Sequence, residues 1–122
     1  MTEFPLYFAQ ILDSIKKAST ECACQAHLYG TSILYYLLGD PYYLNSIDII
    51  LSGNVITSKF YDALIKHCVI NREIENSSST YAVLINSVQV NFHIEQELNS
   101  DIAQKYAFFT FEGIFYDILK NN

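Results

Sequence analysis

Residues 30–51 read GTSILYYLLGDPYYLNSIDIIL, and this stretch decides the fold. A glycine followed by two hydroxyl residues precedes a short apolar run, which predicts a helix that ends at Leu38. A Gly-Asp-Pro loop stops that helix. The next segment, Ser46 to Leu51, is the predicted central strand, and Asp48 shares a face with Ser46 because side chains at i and i+2 point the same way. The stretch therefore predicts a helix followed by a strand that presents one carboxylate.

The rest of the chain predicts a small mixed β-sheet flanked by helices, an α/β (α+β) fold in a single domain over residues 1–122. Asn86-Ser87 is expected to join two strands as a tight hairpin turn. The alternative is an unrelated α+β sandwich with the same order of elements. The other predicted elements are helices at Leu6–Ser19, at Lys59–His67 with Ser58 as N-cap, and at Thr110–Lys120, with strands at Gln25–Tyr29, Cys68–Glu75, Thr80–Ile85 and Val88–Ile94.

Two motifs resemble one known family. Residues 30–51 resemble the nucleotidyltransferase core of the poly(A) polymerase and tRNA CCA-adding enzymes, whose head domain reads roughly G-G-x-V-R-D-L-L-L-G followed by D-x-D. That head domain closes with a motif like R-R-D-F-T-I-N-A-L-x-Y-D, and residues 106–117 here read YAFFTFEGIFYD. Phe109-Thr110 and Tyr116-Asp117 match it. The resemblance covers residues 25–117 and implies a nucleotidyltransferase-like fold.

The resemblance also implies where a nucleotide would bind. In the family, the helix that begins near Gly30, Thr31 and Ser32 receives the phosphates on its free N–H groups. The other interpretation is an ordinary cap, in which the two hydroxyls bond the first backbone N–H groups of the helix. The family's D-x-D pair clamps Mg²⁺ ions, and Asp48 is the one member retained, because Ser46 stands in place of its partner.

Other charged positions of the family are also replaced. Tyr106, Ala107 and Phe108 stand where the closing motif has Arg-Arg-Asp. Many nucleotidyltransferases carry a third carboxylate on a neighbouring strand, whose polar face here holds Gln89, Asn91 and His93. We therefore expect a catalytically degenerate domain with no cofactor, or with Mg²⁺ if any nucleotide binding is retained. The alternative is a weak or altered metal-dependent enzyme that transfers a nucleotide to RNA or protein with Asp48.

The amino-acid composition limits the kinds of partner that the chain is expected to bind. The chain has 13 acidic and 7 basic residues, a net charge of −6, and a single arginine. Nucleic-acid surfaces are built from clustered Lys and Arg, so a nucleic-acid partner is not expected. The chain has no membrane-length apolar run and no basic leader, which favours a cytoplasmic protein. A zinc site could in principle be formed by Cys22, Cys24, His27 and the His67-Cys68 pair. Their spacing does not match that of the usual zinc-binding cysteine pairs, so buried structural thiols are favoured.

Three further groups have a functional and an ordinary interpretation. Glu73 and Glu75 form an acidic pair on a predicted strand, although a solvated strand edge is favoured. His93 and Glu95 share a strand face and could act as an acid and a base, although a surface contact is favoured. The tyrosine pairs at 35–36 and 42–43 could stack a nucleobase, although core and interface positions suit tyrosine better.

Association is the last expectation. In the family, the closing motif leads into helical domains, whereas this sequence ends at Asn122. The last fifteen residues are rich in large apolar side chains, and one helix cannot bury all of them in one core. We therefore expect a homodimer or a protein partner docked on this segment. The interface candidates are Phe108, Phe111, Phe115 and Ile118.

Overall fold

The computed structural model describes residues 3–77 and 79–96, together with the backbone of residues 116–117. Within that part of the chain, three helices accompany one sheet of six strands. None of these helices is both long and apolar enough to cross a membrane. The helices are α1 (Leu6–Glu21), α2 (Thr31–Leu38) and α3 (Thr57–Leu64), and the strands are β1 (Gln25–Tyr29), β2 (Ser46–Ser52), β3 (Ile70–Asn76), β4 (Thr80–Ile85), β5 (Val88–Glu95) and β6 (Tyr116–Asp117).

The sheet is mixed, with the strand order β3-β4-β5-β2-β1-β6. β2 and β5 pair in parallel, and the other neighbours pair antiparallel. The predicted fold class, a small mixed sheet with helices packed against it, is confirmed. The prediction that the strand of Asp48 lies beside the strand at Val88–Ile94 is also confirmed, since Asp48 pairs with Asn91.

The two faces of the sheet differ in chemistry. One face carries the apolar side chains of all four central strands and packs against the buried faces of α1 and α3. Because strand side chains alternate, the opposite face of β2 and β5 carries polar residues. We call this second surface the polar face; around its centre it comprises Tyr29, Ser46, Asp48, Ile50, Gln89, Asn91 and His93.

A tight hairpin turn determines how β5 pairs with β4. Asn86 and Ser87 both have positive φ, 51° and 67°. Two central residues with positive φ are typical of the two-residue turn whose twist matches a β-hairpin. The turn pairs Ile85 with Val88 and so fixes the register of β5. The separate pairing of β5 with β2 places Asn91 beside Asp48. The predicted tight turn is confirmed.

Several predicted elements differ from the structure: α1 ends at Glu21 and not at Ser19, α3 ends at Leu64 and not at His67, and β3 covers Ile70–Asn76 in place of Cys68–Glu75. α3 begins at Thr57 with Ile56 as its N-cap, so Ser58 lies inside the first turn, and no side chain caps the helix. Residues 116–117 form a strand against His27 and Leu28, whereas a helix was predicted there. The open edge of β1 offers unpaired backbone groups, and aromatic residues favour strands, so sheet pairing prevails over the local helical pattern.

Candidate functional site

Asp48 lies at the centre of the polar face. Its side chain is half-buried, between β1 on one side and β5 on the other. Tyr29 is its antiparallel neighbour on β1, and Asn91 is its parallel neighbour on β5. Residues directly opposite each other on paired strands share a face. The sheet therefore gathers Asp48, Asn91 and Tyr29 although they are far apart in sequence.

Two amide side chains connect to the Asp48 carboxylate in series. Asn91 donates a hydrogen bond from Nδ2 to Asp48 Oδ1 at 2.9 Å. Gln89 in turn donates from Nε2 to Asn91 Oδ1, also at 2.9 Å. We call this chain of two hydrogen bonds the amide ladder. The sequence pattern placed Gln89 and Asn91 on this face but did not show that they bond to Asp48.

The other oxygen of Asp48 lies against the backbone of Gly30. A Cβ atom built on Gly30 would stand 2.6 Å from Asp48 Oδ2 and 3.3 Å from Asp48 Cβ and Cγ. Gly30 also has φ of 79° and ψ of −155°, a conformation that is essentially restricted to glycine. Both observations require glycine at position 30. The absence of a side chain at Gly30 therefore allows the backbone to approach the carboxylate of Asp48.

The start of α2 lacks the predicted hydroxyl caps. Gly30 is the N-cap residue and has no side chain, and no side chain bonds the first N–H groups of the helix. Thr31 is exposed, whereas Ser32 is fully buried and its Oγ has no hydrogen-bond partner among the residues that the structure describes. Gly30, Thr31 and Ser32 thus lie at the helix start beside Asp48, as the resemblance implies, but the two hydroxyls do not cap the helix.

The environment of Asp48 disfavours its charged form. Burial raises the pKa of Asp48 above its ordinary value of 3.8, while the hydrogen bond from Asn91 and the charge of nearby His93 oppose that rise. The ring of His93 also contacts Tyr29 edge to face, with centroids 5.6 Å apart. Asp48 is therefore a partly desolvated carboxylate with one strong donor on its Oδ1 atom.

Comparison with known proteins bears on this arrangement. No protein-family model and no curated protein sequence matches the chain. Solved structures do match. A CCA-adding enzyme in apo form I superposes with a TM-score of 0.73 over 97% of this chain and 29% of that enzyme, at 13% sequence identity. The fold is nucleotidyltransferase-like.

Two further structures carry the same nucleotidyltransferase-like domain. The Thermotoga maritima CCA-adding enzyme complexed with tRNA matches with a TM-score of 0.62, 14% identity and 75% of this chain against 22% of that one. A tRNA-processing enzyme in apo form I matches with a TM-score of 0.60, 17% identity and 76% of this chain against 24% of that one. The chain spans less than a third of the length of each enzyme. At these identities the likeness establishes the fold.

The nucleotidyltransferase-like fold implies Mg²⁺, and the residues around Asp48 would have to supply its ligands. Divalent cations of this kind are bound by several oxygen ligands, among which carboxylates supply the charge. The immediate neighbours of Asp48 on β2 and β5 are Ser46, Ile50, Gln89, Asn91 and His93, and no carboxylate is among them. Within residues 3–77 and 79–96, no three His, Cys, Asp or Glu side chains cluster as metal ligands. These residues do not fit the Mg²⁺ site of an active nucleotidyltransferase.

The remaining acidic candidates lie apart from the polar face. Glu73 and Glu75 are on β3, an exposed edge strand with a register irregularity between them. Glu75 accepts a hydrogen bond from Thr80 Oγ1 at 3.2 Å. Asp40 accepts a hydrogen bond from the backbone of Tyr42 and caps the short 3₁₀ turn that follows. Glu73 and Glu75 therefore lie on a solvated strand edge, the interpretation favoured from the sequence, and Asp40 caps the turn.

The two tyrosine pairs have different surroundings in the structure. Tyr35 is buried, and its hydroxyl donates to the backbone oxygen of Glu3 at 3.2 Å. Tyr36 stacks with Phe4, which also stacks with Tyr35. Tyr42 is exposed and contacts Tyr43 edge to face. Tyr35 and Tyr36 therefore hold the N-terminus against α2.

The cysteines and the C-terminal candidates complete the predicted set. Cys24 is buried, which raises its pKa to about 11, and burial likewise raises the pKa of Cys68. His67 bonds through Nε2 to Glu21 Oε1 at 2.7 Å. The predicted interface residues Phe108, Phe111, Phe115 and Ile118 lie outside the described residues.

Proposed function

We propose that this chain is a nucleotidyltransferase-like domain that does not carry out efficient metal-dependent transfer, and that it acts as a binding or regulatory module through protein association. The observation that carries the proposal is the isolation of Asp48, whose neighbours on β2 and β5 are uncharged apart from His93. Metal-dependent phosphoryl transfer depends on positioned charge, so losing one metal ligand is expected to cost orders of magnitude in rate.

Surface chemistry supports association. In the described part of the chain, Leu6 and Val69 are 74% and 68% exposed, and both line a groove of about 580 Å³ between α1 and the segment before β3. A docked partner would cover these two apolar side chains, which share the groove with polar residues such as Gln10, Asp13 and Lys17. The apolar residues from 108 to 118 add to this support from the sequence.

A second candidate function is a weak or altered nucleotidyltransferase. It is favoured by the contact between Asp48 and Gly30, because the retained carboxylate lies beside the helix start that the resemblance assigns to phosphates. In this alternative, Asp48 would be the sole carboxylate ligand of the metal. Nucleotide binding without transfer is the intermediate case.

The catalytic half is tested by nucleotide transfer. We expect no Asp48-dependent labelling of RNA or protein acceptors when the purified chain is incubated with Mg²⁺ or Mn²⁺ and labelled ATP or CTP. The D48A variant is the matched control, and a complete CCA-adding enzyme shows that the assay works. Labelling by the wild type that D48A abolishes would establish the alternative function instead.

The association half is tested by light scattering at micromolar concentration. We expect a mass above the 14.0 kDa of one chain, or the retention of a defined protein partner. F111S/F115S should lower that mass or release that partner, because it places polar groups in the proposed interface. I74S is the control, since it removes an exposed apolar side chain that is not among the interface candidates. A 14 kDa monomer that retains no partner from its native cell extract would contradict association.

A further inference from the structure

We propose that the amide ladder occupies the cation position of this fold, so that Asp48 is held by hydrogen bonds alone and not by a divalent metal. A corollary is that two substitutions, S46D and N91D, would convert the same face into a divalent-cation site. This inference deepens the non-catalytic half of the proposed function and rests on it. Its evidence is the polarity of the ladder and the register of β2 against β5.

The polarity of the ladder follows from the charge of Asp48. An ionised carboxylate can only accept hydrogen bonds, so Asn91 must direct its NH₂ group toward it. The amide oxygen of Asn91 then points the other way, where it accepts from Gln89. Each bond orients the next, and a charge at one end strengthens the series. Asn91 thus offers Asp48 a donor and keeps its own oxygen turned away.

This orientation opposes cation binding. Mg²⁺ and Mn²⁺ bind oxygen atoms, and the nearest oxygen on β5 that could join Asp48 is the one that Asn91 directs to Gln89. Turning that oxygen toward a cation requires the Asn91 amide to flip. The flipped NH₂ group would then face the NH₂ group of Gln89, so Gln89 would have to turn as well. Binding a cation would therefore break the two hydrogen bonds of the amide ladder as they stand, and Asp48 would be the one carboxylate that the cation contacts.

The register explains why two substitutions are enough. Position 91 is directly opposite Asp48 on the parallel strand, and position 46 is two residues before Asp48 on the same face. Carboxylates at both positions would converge with Asp48. Three such groups repel one another unless a cation or protons neutralise them, so cation affinity and sensitivity to pH should appear together.

Paramagnetic broadening by Mn²⁺ tests the wild-type chain directly. With one equivalent of Mn²⁺, we expect the side-chain NH₂ signals of Asn91 and Gln89 to keep their intensity in the NMR spectrum. Adding EDTA should leave their chemical shifts unchanged. Selective loss of these signals in the wild type, absent in D48N, would overturn the proposal because it would place the ion at Asp48.

The rebuilt site provides the second test. S46D/N91D should melt several degrees below the wild type in EDTA at pH 7, and Mn²⁺ should raise its Tm by several degrees. S46D/N91D/D48N is the matched control and should lose most of that response. If S46D/N91D does not fold, N91D alone should show a smaller Mn²⁺-dependent rise. A folded variant that shows no Mn²⁺ response would overturn the proposal that the ladder stands at the cation position.

These results separate the two proposals. A wild type that ignores Mn²⁺ but exists as a monomer without partners would defeat association and leave the ladder proposal intact. A wild type that binds Mn²⁺ at Asp48 yet transfers no nucleotide would defeat the ladder proposal and leave a non-catalytic function intact.

Discussion

G30A is expected to lower the free energy of unfolding by about 2–6 kcal/mol, a large part of the stability of a domain of this size. Two costs add. The positive φ of 79° strains any residue with a Cβ atom, and that atom would stand 2.6 Å from Asp48 Oδ2. Urea denaturation followed by circular dichroism measures the loss as a lower midpoint.

G53A is the matched control for this substitution. Gly53 also has positive φ, 103°, but a Cβ atom there would approach nothing closer than Cys24 Cα at 4.0 Å. G53A should therefore show the backbone cost without the clash. G30A/D48A removes the clashing oxygen and should recover part of the loss, which a double-mutant cycle detects as a coupling energy. If G30A were no more costly than G53A, the contact with Asp48 would have no energetic weight.

The second large effect separates the charge of Asp48 from its hydrogen bond. D48N keeps an oxygen to accept from Asn91 and removes a desolvated charge, so it should stabilise the chain at pH 7 by about 0.5–2 kcal/mol. D48A removes the acceptor and leaves Asn91 Nδ2 without its partner. D48A should therefore be less stable than D48N by about 1–3 kcal/mol. Thermal and urea denaturation of both variants at pH 7 measure the difference.

The stability difference between the wild type and D48N should depend on pH. The pKa of Asp48 is raised in the folded state, so the folded chain binds this proton more tightly than the unfolded chain does. As the pH falls through the folded-state pKa of Asp48 toward 3.8, the stability of the wild type should rise relative to that of D48N. The difference in their free energies of unfolding should be largest near pH 7. Glu21 acts in the opposite direction, because its bond to His67 lowers its pKa, but both proteins retain it. A gap that widens on acidification would contradict this account.

Local patterns predicted the frame of this fold well. β1 and β4 begin and end at the predicted residues, and the pairing of the Asp48 strand with β5 was implied by the resemblance to the nucleotidyltransferase family. These elements have strong periodicity and clear turn residues. Ser58 was misassigned as a cap because a hydroxyl residue before an apolar run favours that position, whereas α3 begins one residue earlier, at Thr57, with Ile56 as its N-cap.

The residues of the candidate site could be predicted from the sequence, but the hydrogen bonds among them could not. Ser46, Asp48, Gln89 and Asn91 were each placed on the polar face by strand alternation. That Asn91, and not Gln89 or His93, bonds to Asp48 depends on the register between two strands that are not consecutive. That register is set by tertiary packing of β5 against β2, and the local sequence does not show it. The contact between Gly30 and Asp48 Oδ2 is tertiary as well, so the sequence pattern did not show it.

The parallel pairing of β2 with β5 has a consequence for how the chain folds. Asp48 and Asn91 are 43 residues apart, and α3, β3 and β4 all lie between their strands. A parallel pair cannot close through a tight turn, and long-range pairs are slow because a large loop must first be ordered. The hairpin of β4 and β5 is local, so we expect it to form first and then dock on β2. The polar face would accordingly be completed late in folding, after both strands that compose it have acquired their own structure.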